Sequence, residues 1–168
     1  MEKQLKVGIG DMKLTRGSGT IITYALGSCI GISFYDPTIK LGALLHIMLP
    51  VRQNPNDANI FKYADTGIPE TVRKLQAFGL VRSRAIIKIA GGAKMFEISG
   101  NSSFGEIGAR NIAAVQQILQ SGGFRIVARD VGLNYARTMS LDVETGDVKI
   151  HTFGHPEKHY NNHGRNHT

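Results

Sequence analysis

Residues 26–49 (LGSCIGISFYDPTIKLGALLHIML) constrain the fold of this chain more than any other segment. Two apolar runs with strand-like composition flank the turn signal Asp36-Pro37-Thr38, and this arrangement predicts a β-hairpin. The hairpin contains the only cysteine of the chain, Cys29, and the only histidine outside the C-terminal tail, His46. The relative position of these two side chains is therefore the first question that the sequence raises.

Strand alternation predicts that Cys29 and His46 lie on the same face of the hairpin. Successive side chains point to opposite faces of a strand, so the apolar residues at 30, 32 and 34 share one face and Cys29 lies on the other. If both strands turn their apolar faces to one side, paired residues have numbers with an odd sum, as Cys29 and His46 do. A turn centred between residues 37 and 38 places the pair directly opposite, and a register two residues away places it diagonally. Pro37 does not fit the primed two-residue turns, so both registers remain open.

A thiol beside an imidazole is a nucleophile beside a base. The thiolate is the reactive form of cysteine, and a neighbouring histidine can generate it. The short segment before the cysteine includes Gly27 and Ser28, whose backbone N–H groups could converge on an oxyanion. The alternative is a small buried cysteine and a hydrogen-bonded histidine with structural roles only. A structural zinc site usually needs four protein ligands, so we predict no metal.

Composition indicates one soluble, cytoplasmic domain. The chain has 168 residues, of which 42% are hydrophobic and 20% charged. One cysteine excludes an internal disulfide and suits a reducing compartment. The first six residues lack the apolar core of a signal peptide, and no apolar run is long enough to insert into a membrane. The net charge of +7 fits an acidic protein partner or a solvated surface, whereas scattered Lys and Arg and 7% aromatic residues argue against nucleic acid.

The remaining pattern predicts an α+β fold with a mixed or antiparallel β core of about eight strands and two main helices. One helix begins near Tyr63 and ends at Gly79, and the other runs from Ile107 to the glycines at 122–123, after a polar loop at 99–105. We interpret Gly91-Gly92, after a strand at 85–90, as a tight turn with close backbone packing. For Arg110 and Asn111 we favour surface roles over ligand contacts.

The C-terminal tail has a histidine every four residues from His151 to His167. A helix with this spacing would stack imidazoles for metal capture, but Gly154, Pro156 and Gly164 argue against a continuous helix. We therefore expect residues 1–152 to form a single catalytic domain and residues 153–168 to be a disordered, weakly metal-chelating tail.

Several motifs occur in one order across the chain, and together they resemble the chemoreceptor glutamine deamidase family, CheD. The resemblance extends from Val7 to about Ile150. Its motifs are LGSCI at 26–30, DP at 36–37, LLHIMLP at 44–50, KYADTGI at 62–68, KIAGGAKMF at 88–96, IGARN at 107–111, and Asp130 followed by Arg137.

This resemblance implies hydrolysis of selected glutamine side chains on the cytoplasmic helices of chemoreceptors, giving glutamate and ammonia without a cofactor. It implies that Cys29 is the nucleophile, His46 the base and Thr23 the third catalytic residue. It further implies a CheC-type phosphatase as a partner, and a fold similar to that of toxin-type cysteine glutamine deamidases, with a mixed β core flanked by helices.

One departure from the family pattern and two rival functions remain open. Where the family usually has paired glycines after the aspartate, this chain has Val131-Gly132-Leu133-Asn134, which predicts a reshaped loop near the site. A non-catalytic module that regulates a CheC-type phosphatase is one rival. A cysteine protease or amidase that uses the same Cys–His pair is the other.

Overall fold

In the computed structural model, which describes residues 3–95 and 103–165, ten strands form two five-stranded sheets. The strands are β1 (Gln4–Val7), β2 (Asp11–Arg16), β3 (Thr20–Leu26), β4 (Ile30–Asp36), β5 (Leu41–Ile47), β6 (Ile86–Gly91), β7 (Ile126–Val131), β8 (Arg137–Asp142), β9 (Val148–His151) and β10 (Lys158–Tyr160). The first sheet has the order β1-β3-β8-β9-β10, and the second has the order β2-β5-β4-β6-β7. Both are mixed, because β1 runs parallel to β3 and β6 runs parallel to β7.

Two α-helices, α1 (Ala64–Ala77) and α2 (Ser103–Ser121), accompany the sheets. Gly79, with φ +106°, terminates α1 where the sequence predicts its end. Helix α2 begins at Ser103, inside the predicted polar loop at 99–105, and the first half of that loop lies outside the described residues. Neither helix has an apolar stretch long enough to cross a bilayer.

The α+β prediction is confirmed, with two strands more than predicted. Strands β2 and β10 escaped the sequence analysis because neither has a fully buried face: most residues of β2 and all residues of β10 are partly exposed. Short, half-exposed strands give only a weak alternation signal.

The second sheet is the middle of three layers, with the helices on one face and the first sheet on the other. The helix-side core combines the apolar residues of β4 and β5 with those of α1 and α2. The core between the sheets contains Leu26, Leu44, Met139 and Leu141, with Cys29 packed against it. The alternation predicted for the hairpin is thereby confirmed, because residues 30, 32 and 34 lie in the helix-side core and Cys29 lies in the other.

The β4–β5 hairpin has the longer of the two loops that the sequence left open. Gly31 pairs with His46, so the paired numbers add up to 77 and Cys29 lies diagonally to His46. The buried carboxylate of Asp36 fixes this turn: it accepts the backbone N–H of Thr38 at 3.1 Å and pairs with Arg84 at 2.8 Å. The register centred between residues 37 and 38 is therefore wrong.

The C-terminal segment folds back onto the sheets, so the prediction of a disordered tail is wrong for its described part. β10 pairs with β9, and the hydroxyl of Tyr160 donates to Asp130 at 2.7 Å. Buried Lys88 donates to the carbonyls of Gly146 and Tyr160 at 2.7 and 2.9 Å.

Within residues 3–95 and 103–165, no group of three or more His, Cys, Asp or Glu side chains is placed to hold a metal.

Candidate active site

Cys29 ends a three-residue bend, residues 27–29, that leads from β3 into β4. The bend is held by the segment after β6: the N–H of Gly92 donates to the carbonyl of Cys29 at 2.9 Å, and the N–H of Ala93 donates to the carbonyl of Gly27 at 2.8 Å. A Cβ atom on Gly91, which has φ +110°, would lie 2.1 Å from the carbonyl oxygen of Cys29. The interpretation of Gly91-Gly92 as a tight turn with close backbone packing is confirmed.

Asn111 of α2 holds the third carbonyl of the bend. Its Nδ2 donates to the carbonyl of Ser28 at 2.9 Å and to that of Met48 at 3.0 Å. The side chain is fully buried, so the predicted surface role for Asn111 is wrong. The sequence did contain a signal, because Asn111 precedes Val115 and Leu119 at four-residue intervals on an apolar helix stripe.

The N–H groups of Ser28 and Cys29 point away from these carbonyl partners, because the N–H and C=O of a trans peptide group point in opposite directions. Among the described residues, no backbone or side-chain acceptor outside the bend receives the N–H of Gly27, Ser28 or Cys29. The Cys29 N–H lies near its own sulfur, where it favours the thiolate. The bend thus presents free donors next to a thiol.

His46, on β5, contacts Thr23, on β3 of the facing sheet. Both side chains are buried, and Nδ1 of His46 lies 2.7 Å from Oγ1 of Thr23. The Thr23 hydroxyl donates its one proton to the carbonyl of Val7, at 2.8 Å. Since that proton is used, Nδ1 must be the donor in the His46–Thr23 hydrogen bond, and the neutral imidazole carries its lone pair on Nε2.

Nε2 of His46 is buried and has no hydrogen-bond partner among the described residues. Buried polar atoms without partners are rare and call for an explanation. The structure brings His46 and Thr23 into direct contact and places Cys29 in the same inter-sheet layer, two residues before the partner of His46 in the ladder. Thiol and imidazole are neighbours on one face and are not hydrogen-bonded to each other.

Burial keeps both groups neutral near pH 7. It lowers the pKa of His46 from 6.5 to about 4, against a weaker opposing effect of the Asp11 carboxylate. Burial also raises the pKa of the Cys29 thiol, and the backbone N–H of Cys29 offsets this only in part. The site at rest therefore contains a protonated thiol and an unprotonated imidazole nitrogen.

The loop with the departure from the family pattern lies beside the cysteine bend. Leu133 adopts φ +60°, is 62% exposed, and its carbonyl accepts the N–H of Lys94 at 2.8 Å. The next residue, Met95, lies over Gly27, where an added Cβ would be 3.0 Å from Met95 Cγ. An effect of Leu133 on substrate fit stays a prediction.

The fold and site define a class of α+β proteins in which two packed sheets enclose a hydrogen-bonded threonine–histidine pair. The single cysteine packs against the same core between the sheets. Comparison with known proteins identifies the family. A model described as CheD chemotactic sensory transduction matches residues 48–152.

Curated relatives match nearly the whole chain. A protein of Syntrophomonas wolfei, named "Probable chemoreceptor glutamine deamidase CheD", is 46% identical over 94% of this chain and 99% of its own length. Proteins with the same name from Clostridium botulinum (strain Alaska E43 / Type E3) and Moorella thermoacetica are 47% and 46% identical, over 90% and 93% of this chain and 94% and 95% of their own lengths. The chain belongs to the CheD family.

Proposed function

We propose that this protein hydrolyses glutamine side chains of chemoreceptors to glutamate and ammonia, with Cys29 as nucleophile, His46 as base and Thr23 as the residue that orients the base. The observation that carries this proposal is the Thr23–His46 hydrogen bond, which leaves Nε2 of His46 free in the layer that contains the only cysteine. The names of the relatives supply the substrate class. We place the reaction in the cytoplasm and, following the family resemblance, add a CheC-type phosphatase as a partner.

In the first half of the reaction, Nε2 of His46 takes the proton from Sγ of Cys29, and the thiolate attacks the carbon of the glutamine carboxamide. A C–S bond forms, and the carbonyl oxygen becomes an oxyanion. The N–H groups of Gly27, Ser28 and Cys29 are the donors that we assign to this oxygen, because they lie in the bend that contains the sulfur. Protonated His46 then gives its proton to the amide nitrogen, the C–N bond breaks, and ammonia leaves a thioester on Cys29.

In the second half, a water molecule replaces ammonia. Nε2 of His46 removes a proton from the water, and the resulting hydroxide attacks the thioester carbon. The C–S bond breaks, the product leaves as glutamate, and the sulfur recovers its proton from the imidazolium. The imidazole can serve both halves because its Nδ1 donates to Thr23, which leaves the lone pair on Nε2.

Replacing Thr23 by valine is expected to lower kcat roughly 10- to 100-fold, because the shape is kept while Nδ1 of His46 and the carbonyl of Val7 lose their partner. Serine keeps the hydroxyl and is the matched control, with activity expected within about threefold of wild type. Initial rates of ammonia release measure both variants. Equal rates for Thr23→Val and Thr23→Ser would remove Thr23 from the mechanism.

The reaction is expected to lose kcat/KM on the acid side with a midpoint near the pKa of His46, which is about 4, well below the ordinary 6.5. The base must be neutral, so activity is present above this pKa and is lost as the pH falls through it. The folded-state pKa is the depressed one, so acid also destabilises the fold from pH 6.5 downward, and circular dichroism at each pH is the control. A midpoint of about 6 or higher in folded protein contradicts a buried neutral base.

A receptor cytoplasmic fragment incubated with the protein tests the proposed function by mass spectrometry. Each deamidation replaces an amide by an acid and adds about one dalton, and fragment masses locate the glutamine. An unchanged receptor mass together with binding to a CheC-type phosphatase would support the non-catalytic module instead. Receptor fragments cut at a peptide bond would support the protease.

A further inference from the structure

We infer that Asn111 is a positioning residue for this reaction: by holding the carbonyl of Ser28, it directs the backbone N–H of Cys29 toward the oxyanion. The inference extends the proposed function, and it rests on contacts made by a residue that touches neither Thr23 nor His46 through a hydrogen bond. Three observations support it: the orientation of the amide, the geometry of one peptide group, and the second carbonyl that the amide holds.

The orientation of the Asn111 amide is unambiguous. Both of its partners, the carbonyls of Ser28 and Met48, can only accept hydrogen bonds, so the NH₂ group must face them. Oδ1 then lies on the other side, buried and without a partner among the described residues. The next residues on this helix stripe, Val115 and Leu119, are apolar and fully buried. An unpartnered buried acceptor is costly, so packing alone does not explain an asparagine here.

The carbonyl of Ser28 and the N–H of Cys29 belong to one peptide group. The described chain has no cis peptide bond, so this group is trans and planar, and its C=O and N–H point in opposite directions. Fixing the carbonyl on Asn111 therefore fixes the direction of the N–H. That N–H lies beside the Cys29 sulfur, which is where the carbonyl oxygen of an attacked amide must come.

The carbonyl of Met48, the second partner of Asn111, lets one side chain connect the segment of Cys29 to the segment of His46. Met48 follows His46 by two residues, so one amide group ties the cysteine bend and the end of β5 to the same point of α2. The helix is a firm support, because Val115 and Leu119 anchor it in the helix-side core. Small displacements of a reacting group can cost about two orders of magnitude in rate, so this link is a sensitive one.

The test compares Asn111→Leu with Val115→Ala, a control that weakens the packing of the same helix without touching the bend. Asn111→Leu is expected to lower kcat roughly 10- to 100-fold with KM within about twofold. The reason is that the N–H of Cys29 stabilises the transition state, and without Asn111 it is no longer directed toward the oxyanion. Val115→Ala is expected to lower the unfolding temperature at least as much while kcat stays near wild type.

Alkylation of Cys29 by iodoacetamide gives a second readout that needs no receptor. The chain has one cysteine, so the rate reports this thiol alone. The N–H of Cys29 favours the thiolate. In Asn111→Leu this N–H is no longer directed toward the sulfur, so the pH midpoint of alkylation is expected to move upward. Val115→Ala is expected to leave the midpoint in place. If Asn111→Leu fails to fold, Asn111→Ser, which retains one donor, is expected to show a smaller shift in the same direction.

Two outcomes overturn the inference: an alkylation midpoint that is unchanged in the folded Asn111 variants, or a kcat that falls no further than in Val115→Ala. A wild-type protein that leaves receptor glutamines unmodified would refute the proposed function separately. In that case the alkylation midpoint still decides whether Asn111 directs the N–H of Cys29.

Discussion

Replacing Cys29 by alanine is expected to abolish receptor deamidation, with a loss of at least about 10⁴-fold in kcat, because no thioester can form without the sulfur. The unfolding temperature is expected to stay within a few degrees of wild type. Cys29 is partly exposed and small. The hydrogen bonds that hold the bend, from Gly92 to the Cys29 carbonyl and from Asn111 to the Ser28 carbonyl, do not involve the Cys29 side chain. Ammonia release and receptor mass measure activity, and thermal unfolding measures stability.

Serine at position 29 is the matched control for shape. It keeps a hydroxyl where the thiol lies, but a hydroxyl ionises far less readily than a thiol and is a much weaker nucleophile at neutral pH. We expect Cys29→Ser to fold normally and to be nearly as inactive as Cys29→Ala. Normal turnover by Cys29→Ala would refute the assignment of the nucleophile. A wild-type protein that binds the phosphatase but leaves receptor glutamines unmodified would favour the regulatory module.

Replacing His46 by asparagine is expected to lower kcat by roughly 10²- to 10⁴-fold, the range that a general base contributes. The side-chain amide of asparagine can occupy the position of Nδ1 and keep a donor toward Oγ1 of Thr23, at the site of the present 2.7 Å contact. The substitution therefore removes the base at Nε2 while largely retaining the link between the sheets.

His46→Ala provides the comparison, because it removes both the base and the link. Both variants are expected to lose similar amounts of activity, whereas His46→Ala is expected to lower the unfolding temperature further by leaving a cavity and an unpartnered hydroxyl. Rates of ammonia release and thermal unfolding separate the two effects. Activity within about threefold of wild type in His46→Asn would mean that another group takes the thiol proton.

Alternation along the hairpin predicted which face contains the thiol and the imidazole, but local sequence could not predict the register. The register depends on Asp36, whose buried carboxylate binds Arg84 and the N–H of Val81. These partners lie 45 and 48 positions away in the chain, and turn rules describe only neighbouring residues. The longer loop was therefore one of two open possibilities rather than a deduction.

The contact between Thr23 and His46 was beyond the reach of any local pattern. The two residues lie in different sheets, and the periodicity of a strand says nothing about which sheet will face it. Family resemblance alone pointed to Thr23. The role of Asn111, unlike that of Thr23, could have been predicted from a local pattern. A polar residue inside an apolar helix stripe is visible in the sequence and indicates either a buried hydrogen-bond role or an end to the stripe.

The partial burial of Cys29 has a consequence for the protein under oxidative stress. Peroxides attack the thiolate far more readily than the thiol, and burial raises the pKa of Cys29. In the proposed mechanism the sulfur gives its proton to His46 during the reaction, so oxidants meet mostly the less reactive thiol between turnovers. The environment that delays ionisation thereby shields the one thiol of the chain from sulfenic and sulfinic acid formation.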